Sequence, residues 1–327
     1  MKAIDSNYKP KFFINQLSNE TANQRKNIQY HYTSPNGLLS IIKNKSLRFT
    51  DIRFLNDKSE SLYLVKVICD YFAENKQKYS IIEEAFNRLI GANDISKLQK
   101  LKISNIEYKV PSSYHKRRHF VFCMCDNCDE LNMWNYYVNN GSYQGYNIGF
   151  NINSLMHTFY TDNKNPILHK NFSVNYGKVL YDKKSQFSEI DNKFQELEIR
   201  YKFNYQIEAL STELLNYIDS FCAFFKHPKF EGEKESRIVI ETPDNYLHSP
   251  NFDFPQLTNN LMRYDFYTKN GLIIPCLYVK INSDSFSRIT VSPIMEAEIT
   301  QNSIRELVST EGIKGCSVYQ SKIPIRF

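Results

Sequence analysis

Residues 224–241, FFKHPKFEGEKESRIVIE, hold the densest candidate chemistry in the chain. The segment reads as a loop running into a strand. On that strand Glu233, Glu235 and Arg237 share one face, because strand side chains alternate with a period of two. Ile238, Val239 and Ile240 follow and read as a strand buried on both faces. A guanidinium and two carboxylates at the mouth of a buried strand must pair with one another or face a filled cleft, since burying an unpaired charge is costly. A surface salt bridge at a sheet edge is the competing use of the same residues.

Other polar groups stand at separate points. His31 and Thr33 share a face of IQYHYT, opposite Tyr30 and Tyr32. They suit a grip on a ribose or an amide, although a lone strand histidine more often serves a core. In FLNDKSE, Asp57 and Glu60 have capping-box spacing, which leaves Asn56 as the polar candidate. Trp134 and Tyr137 lie three apart on one helical face. Such a pair belongs to a core, or else to a stacking wall for a flat ring such as nicotinamide. Cys123, Cys125 and Cys128 amount to half a zinc site with no metal expected, and Cys123 and Cys125, on one strand face, read as core filling. HKRRH at 115–119 reads as a solvated turn, with a phosphate-contacting patch as its alternative use.

The elements that must position these groups follow from periodicity and punctuation. Strands are expected at 28–33, 46–51, 118–125, 146–152, 172–181, 272–282, 287–293 and 315–321. Helices are expected from Ser34 or Pro35 to about Lys45, within 59–105, at 129–140, through much of 186–226 and at 300–310. Residues 1–27 read as a peripheral segment, and 28–327 as a single α+β domain with helical insertions at about 59–105 and 186–226.

Composition narrows the class. The 327 residues are 42% hydrophobic, enough for a sizeable core. A net charge of +6 permits a polyanionic target without the dense basic clustering of a dedicated nucleic-acid binder. Neither GxxxxGK[ST] nor GxGxxG occurs, so a nucleotide would bind without those cradles. No run approaches a transmembrane span, and the opening residues lack a signal-peptide pattern. With seven scattered cysteines, an odd number, this leads to the expectation of a cytoplasmic protein without a membrane partner.

In order, HYTSPNGLLSIIKNKSLRFTDIRFLNDKSE, FVFCMCDNCDELNMWNYYVNNGSYQGYNIGF and FFKHPKFEGEKESRIVI resemble the bacterial family catalogued as domain of unknown function 2971. The resembling blocks span residues 30–241, with Phe230 where the family usually has Trp and Tyr137-Val138 where Tyr-Gly is common. That family is similar to the ADP-ribosyltransferase superfamily, which implies a split central mixed or antiparallel sheet that binds NAD as substrate without glycine-rich loops. The resemblance implies Glu235 as catalytic glutamate and Glu233 as its helper toward the acceptor. It further implies His31 and Thr33 at the ribose or nicotinamide amide, Trp134 or Tyr137 as the aromatic wall, and Lys226 and Arg237 at the pyrophosphate or orienting the carboxylates. A toxin or antiphage-defence effector, acting on a nucleic acid or protein and held by an antitoxin or defence-system partner, is the implied biology. An NAD glycohydrolase, a metal-dependent nuclease or phosphoesterase, and a non-catalytic nucleotide- or partner-binding module are the alternatives.

Overall fold

The computed structural model describes residues 28–325 except 57–59, 91–116, 139–141, 162–171, 204, 249–252, 254–257 and 259. In chain order the elements are β1 (Ile28–Thr33), α1 (Pro35–Asn44), β2 (Ser46–Asp51), α2 (Glu60–Glu74), α3 (Ser80–Ile90), β3 (Arg117–Cys125), α4 (Leu131–Tyr137), β4 (Tyr146–Asn151), α5 (Ile152–Thr161) and β5 (Ser173–Lys178). Next come α6 (Lys183–Tyr201), α7 (Ile207–Phe221), β6 (Glu235–Pro243), α8 (Asp244–His248), β7 (Met262–Lys269), β8 (Leu272–Lys280), β9 (Phe286–Val291), α9 (Ala297–Thr310) and β10 (Ser317–Gln320). The fold is α+β. The described residues fall into two compact units, one within Met1–Asp51, His119–Lys178 and Gly232–Phe327, the other within Ile52–Arg118 and Val179–Glu231.

The first unit is built on a mixed, unclosed sheet in the order β10-β9-β4-β1-β3-β2-β8-β7, with β5 attached through β6. β10 runs parallel to β9, while β1–β4, β4–β9, β2–β8, β7–β8 and β5–β6 are antiparallel. β3 pairs with β1, β2 and β6. A strand has only two edges, so two of these three neighbours share an edge at different heights and the sheet forks at β3. One face carries the main core, including Phe49, Phe120, Phe122, Ile148, Phe150, Ile238 and Ile240, with Leu38, Ile41 and Ile42 of α1 laid over it. A smaller cluster of Tyr32, Cys125, Met133, Trp134 and Val138 packs α4 against the other face.

Local sequence explains the join between β1 and α1. The Ser34 hydroxyl accepts from Gly37 N at 3.2 Å, and Pro35 occupies the first turn, where its missing N–H costs nothing. The helix closes on Lys45 at φ 43°. Gly145 is required by close approach: a Cβ there would lie 2.3 Å from Val138 Cγ1 and 2.5 Å from the Thr33 carbonyl oxygen.

The second unit is helical. Phe72 stacks on Phe194 at 5.2 Å between centroids, with Phe86 alongside. Asp191 accepts from Lys78 at 2.5 Å and from Tyr71. The stretches expected as helical insertions fall within this unit, although 91–105 lies outside the described residues, as does the expected peripheral segment 1–27.

Several expectations need correction. MRYDFYTK forms β7, which its mixed polarity concealed, and INSLMHTFYT forms α5 directly after β4. His115 and Lys116 lie outside the described residues; β3 takes in Arg117 ahead of the strand expected at 118–125, and Arg118 and His119 are buried where a solvated stretch was expected. Asp57 of the expected capping box is also outside the described residues.

A carboxylate cluster at the mouth of β6

The strand expected to carry Glu233, Glu235 and Arg237 begins two residues late. Pro228–Glu233 is a 3-10 turn, Lys234 sits at φ 45° in the left-handed region, and β6 starts at Glu235. A non-glycine residue in that region is held there against steric cost. Glu235 and Arg237 share a face as expected. Glu233 reaches its place from the turn and not by strand alternation.

Glu235 and Arg237 are a buried pair, 6% and 1% exposed. Arg237 donates from Nε at 2.9 Å and from Nη2 at 2.5 Å, both to Glu235 Oε2. Glu233 is half-buried and accepts a short hydrogen bond from the Tyr137 hydroxyl. Burial first, and then the negative charges of Glu233 and Glu235, push the Tyr137 phenol above its ordinary range. The phenol therefore keeps its proton at neutral pH and donates it to Glu233. Farther along the same face of β6, Asn175 donates to Glu241 at 2.9 Å. At the mouth, Asp126 accepts from Gln29 at 2.9 Å and Lys178 at 2.7 Å, and its amide donates to the Lys234 carbonyl at 3.3 Å.

His31 does not join this group. The register Tyr30↔Cys125 puts Tyr30 and Cys125 on one face of the sheet and the alternate residues on the other. The His31 ring lies 4.6 Å from that of Phe122, on the face of the main core with Ile238 and Ile240. Glu235 and Arg237 alternate with those isoleucines and so point to the opposite face. The resemblance implies His31 and Glu235 at one NAD site, and this parity, which puts them on opposite faces of the sheet, overturns that pairing. His31 Nδ1 lies 2.9 Å from the Cys123 carbonyl, which can only accept, so Nδ1 carries the proton. Burial pulls the imidazole pKa down to about 4, opposed by that hydrogen bond and aided by the positive charge of Arg48. Thr33 follows His31 onto the core face, and its hydroxyl lies where a Cβ on Gly37 would come within 2.0 Å. It serves the joint with α1.

Trp134 is also corrected. It is fully buried, packs edge-on to Tyr32 at 4.8 Å, and donates from Nε1 to Asp129 at 2.8 Å. A side chain without exposed surface offers no face to a nicotinamide ring. Asp129, which the sequence reading did not single out, also accepts from Ser321 Oγ at 2.6 Å and Lys322 N at 2.8 Å. It thereby ties the loop before α4 to the chain beyond β10.

Asn56 and Lys226 belong to the helical unit. Asn56 is exposed. Lys226 is 2% exposed, its ammonium 4.7 Å from the Phe230 ring centroid and its carbonyl accepting from Gln186 Nε2 at 3.0 Å. Cys125 lies in the small cluster, where burial raises its thiol to about 12. Among the described residues no group of three His, Cys, Asp or Glu side chains is arranged to hold a metal, and no helix is long and apolar enough to cross a membrane.

Residues 133–238 match the profile of a family described as Protein of unknown function (DUF2971). This segment is similar to that family. It contains Trp134, Tyr137, Lys226, Glu233, Glu235 and Arg237, and it leaves out His31, Thr33 and Asn56. No curated protein and no solved structure matches the chain. The matched segment thus runs from within α4 to the first half of β6, and it includes both ends of the Tyr137–Glu233 hydrogen bond.

Proposed function

We propose that this protein is an NAD-dependent ADP-ribosyltransferase in which Glu235 and Glu233 are the catalytic pair. The observation that carries the reading is the joint placement of Glu235, pinned by Arg237, and Glu233, bonded to the Tyr137 phenol, at the opening of one buried strand. The fork of the sheet at β3, next to β6, supports the split-sheet architecture that the reading requires.

In this reading the bond between nicotinamide and the ribose C1′ breaks, and its electron pair leaves with nicotinamide. Glu235 faces the positive charge that develops on the ribose, a state akin to that of glycoside hydrolysis. Arg237 fixes the carboxylate's orientation. Glu233 accepts the proton that the acceptor loses as its oxygen or nitrogen bonds C1′. Tyr137, half-buried beside both carboxylates, supplies the aromatic wall. His31, Thr33 and Trp134 have no part in the chemistry. The acceptor is a nucleic acid or a protein in the cytoplasm, and an effector of this kind calls for an antitoxin or defence-system partner.

Incubation with NAD labelled on the adenylate phosphate and a bacterial lysate, followed by protease or nuclease digestion, tests the reading. Label made soluble by one digestion and not the other identifies the acceptor class. Free ADP-ribose with no macromolecular label would make the protein an NAD glycohydrolase. Activity that needs added divalent metal and no NAD would favour a nuclease. Ligand binding that survives loss of both glutamates, without turnover, would favour a binding module.

A further inference from the structure

Away from the carboxylates, β2, β8 and β7 form one end of the sheet, and their outward face has a composition of its own. The registers Arg48↔Tyr278 and Arg263↔Tyr278 set one tyrosine between two arginines in a single cross-strand row. The next row brings Ser46 opposite Lys280. Arg48, Arg263 and Lys280 are exposed, and Tyr267 and Tyr278 are half-buried. The Arg48 guanidinium lies 3.7 Å over the Tyr267 ring, and that of Arg263 lies 5.2 Å from the Tyr278 ring centroid. Asp265 is the acidic neighbour, 3.0 Å from Arg263.

This face runs into a cavity of about 440 Å³. Its lining includes Asn44, Ser46, Asn260, Arg263, Tyr278 and Lys280. Amides and hydroxyls at such a pocket match the edges of a nucleobase, and the cations beside it match phosphate. Aromatic rings interleaved with arginines on a solvated sheet are the arrangement on which unpaired bases stack while the backbone runs along the cations. A duplex hides its base faces and would leave both the tyrosines and the pocket unused.

We propose that the β2-β8-β7 face binds single-stranded nucleic acid, with one nucleotide seated in the pocket between Asn44, Tyr278 and Lys280. The proposal names the acceptor class that the transferase reading leaves open, and in that respect it rests on that reading. Binding itself requires no catalysis.

Fluorescence anisotropy of a labelled twelve-nucleotide RNA of mixed sequence, titrated with the full chain, tests it. With Arg48, Arg263 and Lys280 each on a phosphate, the logarithm of affinity falls against the logarithm of salt with a slope of about −2. Arg263→Ala lowers that slope by about 0.7, and Tyr278→Ala weakens binding about tenfold. Lys314→Ala, an exposed cation elsewhere in the same unit, leaves binding unchanged. Arg48→Ala, at an exposed position, repeats the test should Tyr278→Ala not fold. Absence of binding, equal loss in the Lys314 variant, or equal competition by duplex DNA or polyglutamate would overturn the proposal. RNA binding without NAD turnover leaves this inference standing and fails the transferase reading. Transfer onto an acceptor by a protein that does not bind the RNA fails this inference alone.

Discussion

At the scale of single residues, the buried Glu235–Arg237 pair sets two demands at once. Glu235→Gln keeps the shape of the side chain and an oxygen to accept from Arg237, but it removes the charge that the proposed mechanism sets against the ribose. Loss of one preorganised electrostatic contact costs about 10²–10³ in rate, and single-turnover kinetics of nicotinamide release measure it. The same change leaves a buried guanidinium poorly compensated, so the melting temperature falls as well. Arg237→Met loses stability by the same logic from the other side. His31 makes a separate forecast. Its pKa is about 4 in the folded chain against about 6.5 in an unfolded one. Between those values the unfolded state binds the extra proton, so stability falls as pH drops through that window and is fully present above it. Urea denaturation from pH 7 to pH 4 shows this acid slope in the native protein, and His31→Gln flattens it. The sequence disclosed that Glu233, Glu235, Arg237 and Tyr137 were worth attention because their types are chemical. It could not disclose that His31 faces the other way, since parity across three strands depends on registers that no local pattern carries.

At the scale of elements, the site depends on a turn that sequence periodicity misread. Lys234 takes up the left-handed conformation that Gly232, two residues earlier, would accept more readily, and nothing in EGEKE advertises the choice. That turn swings Glu233 away from the strand and onto Tyr137. α4 was legible as a helix, and its aromatic pair divides by burial: Trp134 is sunk under β1 while Tyr137 stays half-exposed at the helix end. The joint that holds α4 in place is tight at Gly145. Gly145→Ala would set its Cβ against both Val138 and the Thr33 carbonyl, and the backbone oxygen cannot rotate aside. A loss of about 1–3 kcal/mol is expected by analogy with overpacked cores, read from the denaturation midpoint, and nicotinamide release should fall with it because α4 carries Tyr137. The strand β7 escaped prediction for a plain reason. It is an edge strand whose outer residues, Arg263, Asp265 and Tyr267, are polar or amphipathic, so its alternation does not stand out from a loop.

At the scale of the whole molecule, the α+β class followed from strands at both ends of the chain with helical stretches between them. The fork at β3 did not, because it is a property of three pairings made by one strand. The helical unit draws its two pieces from either side of β3, β4 and β5, a division that helix content alone could not assign. The central claim is that one carboxylate, at the first residue of β6, drives cleavage of the bond between nicotinamide and ribose. Nicotinamide release from NAD by the purified 327-residue chain, measured with and without lysate for the native chain and for a folded Glu235→Gln variant, tests it most directly. The account predicts release by the native protein and a loss of about 10²–10³ in the variant. Undiminished release by Glu235→Gln, or no release by the native chain with any lysate fraction, would contradict it.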